Sequence, residues 1–286
     1  MNVPAFGVIN KNMVQGESKR SDEMAEMEIT IYYTLKKGAK AVEVKTVINN
    51  TAKDHRMRVM FDTGIKTDIA KSAGHFYADE RSTVPAGDRY YPEMQTLPKG
   101  YYTTLEDEKG GFSFVDNCTC EYEATKDGKL AITLFRGVRN IICTEFRSAG
   151  VFPHEDGGQS LGELTFEYAL YPFSENETGF LAERISAPIK AVQASKGDGK
   201  EKDRQSFLEI PKELVLSAFK KAEDRESYII RVYNPSGKEI CGAFYGQFKN
   251  AKAVNLNEEY KKEVDMNNIK VKPYEILTVE AEKKDF

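Results

Sequence analysis

The chain has 286 residues, of which 40% are hydrophobic and 30% charged, so it can bury the core of one large or two ordinary domains. Its net charge of −4 and the even spread of lysine and arginine exclude a basic nucleic-acid-binding block. No apolar run reaches the length of a membrane span, no secretory signal is visible, and four cysteines are too few for a disulfide-rich domain. These features predict a cytoplasmic protein. The apolar start after Met1 is typical of a fragment of a longer chain, or of an unusual natural start.

Alternating apolar and polar residues predict β-strands in the first part of the chain. Residues 27–35 alternate in this way, which predicts a half-buried strand with one wet face. Residues 42–48 continue the pattern on a second strand that stops at the turn signal Asn49-Asn50, and residues 57–61 begin a third.

The middle of the chain combines a long irregular stretch with a hairpin signal. Residues 62–111 are rich in glycine and proline and predict loops, which in a compact domain are usually functional or interfacial. Residues 118–126 and 130–135 alternate on either side of Asp127-Gly128. This pattern predicts a β-hairpin with a type I′ turn, which needs positive φ at both central residues.

The last third contains a strand, a polar stretch and a smaller β unit. Residues 164–170 alternate as another strand, and residues 189–206 are polar and charged, which predicts a linker. Residues 228–233 alternate again before the turn signal at 234–237, and residues 258–264 could form one short helix.

These elements predict an all-β fold. A large antiparallel β-sandwich is expected over residues 1–190, a linker over 191–206, and a small C-terminal β domain over 207–286.

Several motifs, taken in order and with their spacing, resemble the family 38 glycoside hydrolases, the α-mannosidases. The signature SAFKKAEDRESYIIRVYNPSGKEI at residues 217–240 resembles one near the C-terminus of that family. The bacterial members, including those that act on mannosylglycerate-like substrates, look most similar. The other segments that carry the resemblance are residues 42–61, 91–95, 120–138, 146–170 and 272–279.

The resemblance implies a supersandwich similar to galactose mutarotase, followed by a small β-sandwich. It also implies a parent enzyme with a catalytic α/β barrel and a helical bundle. That family is retaining and uses an Asp nucleophile, a second carboxylate as acid/base, and a zinc ion whose ligands include a His-x-Asp motif. His55 and His75 stand outside such a motif. His154-Glu155-Asp156 has its letters, but it lies in a glycine-rich loop and not in a barrel sequence, which this chain does not show.

We therefore expect no catalytic residue, no metal ligand and no cofactor in this chain. Zinc is expected in the parent's missing catalytic domain. The expected partners are the missing catalytic and helical domains and an α-mannoside or mannosylglycerate-like sugar.

Two arginines are the first candidates for substrate binding. Arg136 stands at the family's Leu-x-Arg turn, and Arg147 precedes the loop that leads into the closing strand. In family members the arginine of that turn faces the barrel, where its forked donors could bind sugar hydroxyls or a substrate carboxylate. A structural ion pair with Glu145 or Glu163, or a salt bridge between domains, is the alternative.

Other residues are candidates by similar reasoning. Gln159 and Tyr91 lie in family-like loops and could also contact substrate. Arg56 and Arg58 flank Met57 on the wet face of a strand and could line a sugar groove, although a solvated face is the commoner outcome.

Two further patterns favour structural interpretations. Cys118-x-Cys120 would present both thiols on one face of a strand, but small core residues are expected rather than metal ligands. Glu155-Asp156 beside a histidine in a glycine-rich loop is expected to be a solvated loop tip.

Two other functions stay open. A stand-alone carbohydrate-binding module would use aromatic platforms, and the chain has 15 tyrosines but no tryptophan. A mutarotase-like epimerase would need a histidine acid, for which His75 or His154 could serve, and a carboxylate base.

Overall fold

The computed structural model describes residues 1–8, 19–87, 90, 93–138, 140–143, 148–151, 156–173, 190–193, 195 and 205–284. The chain divides into two compact units, residues 1–72 with 80–187 and residues 73–79 with 188–286. The short stretch 73–79 thus belongs to the second unit, whereas the sequence placed it in the first domain. Most of the predicted linker, 191–206, lies outside the described residues.

Antiparallel strands make up both units. Up to residue 187 they are β1 (Asn2–Pro4), β2 (Gly7–Val8), β3 (Lys19–Arg20), β4 (Met24–Glu26), β5 (Glu28–Thr34), β6 (Val42–Asn50), β7 (Arg56–Asp62), β8 (Ile69–Ala73), β9 (Ala78–Ser82), β10 (Leu97–Pro98), β11 (Tyr102–Asp107), β12 (Gly110–Asp116), β13 (Glu121–Ala124), β14 (Lys129–Arg136), β15 (Asn140–Cys143), β16 (Ser148–Val151) and β17 (Gly162–Phe173). Beyond it they are β18 (Leu208–Glu209), β19 (Val215–Lys221), β20 (Tyr228–Tyr233), β21 (Ile240–Gly242), β22 (Tyr245–Gly246), β23 (Phe248–Val254), β24 (Tyr260–Glu263), β25 (Ile269–Val271) and β26 (Ile276–Lys283).

Helical structure in the described part of the chain is limited to one 3-10 turn, Asp156–Gln159. No helix there is long and apolar enough to cross a membrane. The all-β prediction is confirmed.

The first unit is a sandwich of a seven-stranded and a four-stranded sheet. The strand orders are β5-β6-β17-β12-β11-β8-β9 and β10-β13-β14-β7. Alternate residues of both sheets point inward, and the hydrophobic effect of removing them from water stabilises the packing. The buried core residues are Met27, Val44, Ile48, Ala52, Ala70, Leu105, Phe114, Tyr122, Leu130, Ile132, Leu134, Phe135, Phe166 and Tyr168.

The second unit is built on a five-stranded sheet with the order β19-β20-β26-β23-β24. Two short strand pairs, β18-β22 and β21-β25, complete it. Its core joins the inward residues of the large sheet, such as Ile230 and Val279, to Ile269 and Val271 on β25.

The polar residues of the 217–240 signature hold this second unit together. Arg225 donates from Nε and Nη2 to the two carboxylate oxygens of Glu280 (2.8 and 2.9 Å), and the Ser227 hydroxyl adds a third hydrogen bond (2.7 Å). The Asn234 amide is fully buried and donates to the carbonyls of Lys238, Val271 and Lys272. These roles are structural, because each bond satisfies a buried polar group.

The hairpin predicted at Asp127-Gly128 is present, but its turn is of another type. Strands β13 and β14 pair across it, with only Gly128 at positive φ (89°). The Gly128 N–H donates to the Thr125 carbonyl (3.0 Å), and the Thr125 N–H donates to the Lys129 carbonyl (2.9 Å). This is a three-residue loop closed by a bulged glycine rather than a two-residue type I′ turn. A Cβ at Gly128 would lie 2.5 Å from the Ile65 carbonyl oxygen, which explains the glycine.

The helix predicted over residues 258–264 is wrong, because β24 occupies Tyr260–Glu263 and pairs with β23. Glu258 has φ of 64°, a left-handed conformation that ends any helical path. The Asn255 side chain accepts hydrogen bonds from the Asn257 and Glu259 N–H groups and so stabilises the turn.

The stretch 62–111 contains four complete strands, β8 to β11, where loops were predicted. Its inward residues include Ala70, Ser72 and Thr103, which are small or polar and so do not produce an apolar alternation. The pattern therefore missed strands that the surrounding sheet stabilises.

The strand predicted over residues 27–35 is present, but its apolar face is only partly covered. Met27, just before β5, is fully buried. Ile31 and Tyr33, which share one face of β5, are exposed, Tyr33 to 66%. Because β5 is an edge strand of the seven-stranded sheet, the residues on its inner face are buried only where the second layer extends over them.

Candidate functional site

One face of the four-stranded sheet carries three arginines and two glutamates. On β7, Met57 and Val59 pack on the core, so Arg56 and Arg58 point to the opposite side. On β13 the same alternation turns Tyr122 inward and Glu121 outward. We call this outer surface the arginine face, and its members are Arg56, Arg58, Arg136, Glu121 and Glu123.

A β-bulge brings Arg136 onto this face. Thr133 is the partner of Arg58, so regular alternation would point Phe135 outward and Arg136 inward. The register shifts between Thr133 and Phe135, which turns Phe135 into the core and pairs Arg136 directly with Arg56. One extra residue on β14 therefore decides which side chain the face presents.

Two of the arginines are held by glutamates across the sheet. Arg58 Nη1 lies 2.5 Å from Glu123 Oε2. Arg136 donates from Nε to both Glu121 oxygens (3.1 and 2.9 Å), and its Nη2 lies 2.7 Å from Oε2. The Arg136 side chain is 43% exposed, so the pair orients the guanidinium more than it stabilises the fold. Among the described residues the partner is thus Glu121 and not the predicted Glu163, while Glu145, the other predicted partner, lies outside them.

Arg56 has a different environment. Its Nη1 donates to the Thr96 hydroxyl (2.9 Å), and it forms no ion pair with any described residue. Burial lowers the pKa of the Arg56 guanidinium, and the positive charges of Arg58 and Arg136 lower it further. This charge is therefore only partly compensated within the described structure.

Small residues on the central strand allow the long side chains to lie across it. Ala131 and Thr133 of β14 point to the arginine face, yet both are buried, Thr133 to 6% exposure. The Thr133 hydroxyl is buried and has no hydrogen-bond partner among the described residues. An unsatisfied buried hydroxyl is uncommon and costs free energy.

Gln159 lies in a separate, structural network. It is 2% exposed, its Oε1 accepts from the Asp54 N–H (2.8 Å), and its Nε2 donates to Asp54 Oδ1 (2.8 Å). The Asn50 amide, at the end of β6 and within the predicted turn signal Asn49-Asn50, donates to the Gln159 and Ser160 carbonyls. The side chain braces the turn at Asp54, and its predicted contact with substrate stays a prediction.

Several predicted positions lie outside the described residues. These are Arg147 and Tyr91, together with His154 and Glu155, so their predicted roles stay predictions. The structure therefore places one predicted substrate-binding arginine, Arg136, and brings it together with Arg56 and Arg58.

The cysteines are not the small core residues that were predicted. Cys118 and Cys120 are exposed, and both precede the first residue of β13, so they do not share a strand face. Although Cys118 is exposed as a whole residue, partial burial of its sulfur and the nearby Asp116 carboxylate raise the pKa of the thiol to about 11, so it stays protonated at neutral pH. Nowhere in the described part of the chain do three His, Cys, Asp or Glu side chains come together to hold a metal ion.

The sequence did not predict one buried ion pair. Lys99 and Asp116 are both fully buried, and the ammonium contacts the carboxylate as well as the Gly100 carbonyl (2.9 Å). The second Asp116 oxygen accepts from the Thr119 N–H (2.9 Å). No local sequence signal marks these two residues as partners, because they lie 17 positions apart.

Comparisons with known proteins agree with this architecture. The family model described as "Glycosyl hydrolases family 38 C-terminal domain" matches residues 8–140. A second, "Glycosyl hydrolases family 38 C-terminal beta sandwich domain", matches residues 213–279.

Relatives and solved structures point the same way. A protein of Halalkalibacterium halodurans named "Putative mannosylglycerate hydrolase" is 26% identical over 92% of this chain and 29% of its own length. A family 38 protein from Enterococcus faecalis matches 98% of this chain and 34% of its own, with 22% identity and a TM-score of 0.82. An alpha-mannosidase from Enterococcus faecalis V583 matches 92% of this chain and 30% of its own, with 23% identity and a TM-score of 0.80.

At these identities the solved structures establish the fold alone. The chain spans about a third of the length of the relatives that it matches. The two family models nevertheless cover most of the described strands of both units. The chain belongs to the family 38 glycoside hydrolases and carries their C-terminal β-sandwich region.

Proposed function

We propose that this chain is the non-catalytic β portion of an α-mannosidase-type retaining glycoside hydrolase, an enzyme of mannose metabolism. Catalysis would reside on an α/β barrel and a helical bundle, which this portion would brace. The observation that supports the proposal most directly is the match of two C-terminal family 38 models in the expected order. The relatives are about three times as long as this chain, which leaves room for both domains.

In this proposal the arginine face lends donors to the sugar pocket. Glu121 engages Nε and Nη2 of Arg136 and fixes the plane of the guanidinium. The Nη1 hydrogens, which form no bond within the described residues, would then donate to a sugar hydroxyl. A guanidinium held this way loses little conformational entropy when it binds.

The same proposal places a zinc ion in the catalytic domain of the parent enzyme, and not in the described part of this chain. The ion would supply Lewis-acid contacts to sugar hydroxyls in the parent enzyme. Since the described residues bring no three ligand side chains together, they do not fit it, and we derive no step through it here.

The test is an activity assay on the purified chain. We expect no turnover of a chromogenic α-mannoside, with or without added zinc, while the Enterococcus faecalis alpha-mannosidase turns it over under the same conditions. Turnover by this chain would overturn the non-catalytic role. A cytoplasmic location stays a prediction, which cell fractionation can test.

Two alternatives are distinguished by further measurements on the same sample. Saturable binding of mannosides in calorimetry, without turnover, would favour a stand-alone carbohydrate-binding module. Accelerated anomerisation of a free sugar, followed by NMR, would favour a mutarotase-like epimerase.

A further inference from the structure

Strand β5 forms one end of the seven-stranded sheet and has a long uncovered edge. Its residues 28–34 pair with β6 without a register shift, and no other described strand pairs with them. An uncovered edge presents a row of backbone N–H and C=O groups, to which another strand can add. β5 should therefore either carry features that prevent such pairing or have a partner strand.

β5 lacks the protective features of the other terminal strands in the three large sheets. Its sequence, EITIYYT, contains one charged residue and neither proline nor glycine. By contrast, β9 contains three charged residues, β10 contains a proline, and β7 contains two arginines. β19 and β24 each contain two lysines and pair with their neighbours across a register shift. Because charge, proline and bulges hinder pairing, β5 is the end of these sheets best suited to accept a strand.

The neighbouring strand β1 already lies in line with this edge. Met1 donates from its amine to the Met27 carbonyl (2.9 Å) and accepts from the Met27 N–H (2.8 Å). These two bonds form one closely spaced pair of an antiparallel ladder. β1 pairs with β4 in the same register, with Asn2 opposite Glu26. A strand that continued β1 in the N-terminal direction would therefore pass from Met27 directly onto β5.

The antiparallel ladder determines which backbone groups of β5 point to the open edge. In such a ladder the N–H and C=O groups of successive residues point to opposite sides of the strand. Those of Met27 point to β1, so those of Ile29, Ile31 and Tyr33 point the same way, while the residues between them bond to β6. The open edge therefore presents the donor and acceptor groups of these three residues to an incoming strand.

The side chains of the same three residues lie on the core face of the sheet. Met27 is fully buried on that face and Ile29 packs against the core, whereas Ile31 is 43% and Tyr33 is 66% exposed. Contiguous apolar side chains that extend a core into solvent are typical of an interaction surface. A neighbouring strand with apolar residues opposite them would form cross-strand pairs and extend the core.

We propose that β5 binds an extended peptide strand, antiparallel and in the register of β1, which in the parent enzyme is the segment immediately before Met1. In this register the second, fourth and sixth residues of the segment, counted back from this chain, lie opposite Ile29, Ile31 and Tyr33. Those residues are apolar, because they share the core face with their partners. The residues between them point to solvent and are polar.

The inference deepens the proposed function and rests on it only for the source of the strand, which lies in the part of the parent enzyme before this chain. The relatives are about three times as long as this chain, which leaves room for such a segment. A designed extension tests the edge without any mannoside, so the two proposals fail separately. Mannoside turnover would overturn the non-catalytic role alone, and absence of strand addition would overturn the role of the edge alone.

The experiment adds six residues before Met1 of the full chain in two versions of equal composition. Val-Thr-Val-Thr-Val-Thr places valine at the second, fourth and sixth positions before Met1, whereas Thr-Val-Thr-Val-Thr-Val shifts each valine to the solvent face. In the first version we expect hydrogen exchange to slow about tenfold at three amides within residues 28–34, and the melting temperature of the first unit to rise by about 4 °C. In the shifted version both effects should be much smaller. Protection that is independent of register, or no protection in either version, would overturn the proposal.

Two neighbouring tyrosines of β5 provide matched variants. Tyr33 and Tyr32 are both exposed but lie on opposite faces, so Tyr33→Lys and Tyr32→Lys should each change the melting temperature of the unextended chain by no more than about 2 °C. In the in-register version, Tyr33→Lys should remove about half of the gain in melting temperature, because the incoming strand would desolvate the new charge. Tyr32→Lys should retain the gain, since its side chain stays in solvent. Equal gains in the two variants would contradict the assignment of the core face.

A second copy of this chain is the competing occupant of the edge, and sedimentation distinguishes the two. We expect the unextended chain to be a monomer, or a dimer that the in-register extension dissociates by occupying β5. A dimer that persists with the in-register extension, and in which residues 28–34 are already protected in the unextended chain, would show that a second copy binds the edge. That result would overturn the proposal.

Discussion

The buried pair of Lys99 and Asp116 gives the sharpest prediction for stability. Both side chains are fully buried in the first unit. The ammonium also lies 5.5 Å from the centre of the Phe114 ring, and the carboxylate accepts from the Thr119 N–H. Lys99→Met removes the positive charge, keeps the apolar stem and leaves Asp116 buried without its counter-ion.

Removing one partner of such a pair costs about 3–5 kcal/mol, because the remaining charge stays desolvated. For a unit of this size each kcal/mol lowers the melting temperature by about 2–4 °C, which predicts a fall of roughly 10 °C for Lys99→Met. The double variant Lys99→Met/Asp116→Asn should recover most of that loss, because asparagine carries no charge and still accepts from the Thr119 N–H.

Urea and thermal unfolding, followed by circular dichroism, provide the assay. The first unit should unfold at lower urea concentration in Lys99→Met, while the second unit is unchanged, since the pair lies wholly in the first. The reasoning is refuted if Lys99→Met costs less than about 1 kcal/mol, or if the losses of the single variants simply add in the double variant.

Two further predictions concern other buried polar groups. The hydrogen bonds from Arg225 lower the pKa of Glu280 from 4.5 to about 2, so its ionised form stabilises the folded second unit above pH 4.5, and this contribution is lost as the pH falls towards 2. Glu280→Gln should therefore flatten the stability change between those pH values in urea titrations, and an unchanged profile would contradict the role of the pair. Gln159→Leu should cost about 1–3 kcal/mol in urea unfolding, because the Asp54 N–H and Oδ1 each lose their hydrogen bond to Gln159, and a cost near zero would show that water replaces the amide.

Residue alternation allowed much of the fold to be predicted. It placed Arg56 and Arg58 opposite the core residue Met57, and the structure shows that arrangement. It failed where inward positions are small or polar, as at Ser72 and Thr103, because the apolar period is then absent although the neighbouring strands still supply every backbone partner.

The candidate site depends on a β-bulge and on long-range contacts, which residue alternation does not predict. The family resemblance selected Arg136, but regular alternation would have buried it, and only the bulge after Thr133 turns it outward. Gln159 was selected on the same grounds, yet the fold brings its amide to Asp54, 105 positions away. Contacts over such separations follow from strand register and not from local preference.

The sequence by itself determined the fold class, several of the longer strands and the family, because period-two patterning and ordered motifs are local properties of the chain. Only the tertiary structure decided that Arg56 faces Arg136, that Lys99 meets Asp116, and that the Thr133 hydroxyl is buried without a partner. The physical reason is that charge and hydrogen-bond satisfaction depend on which strands become neighbours, and that choice is made by packing of the whole sandwich.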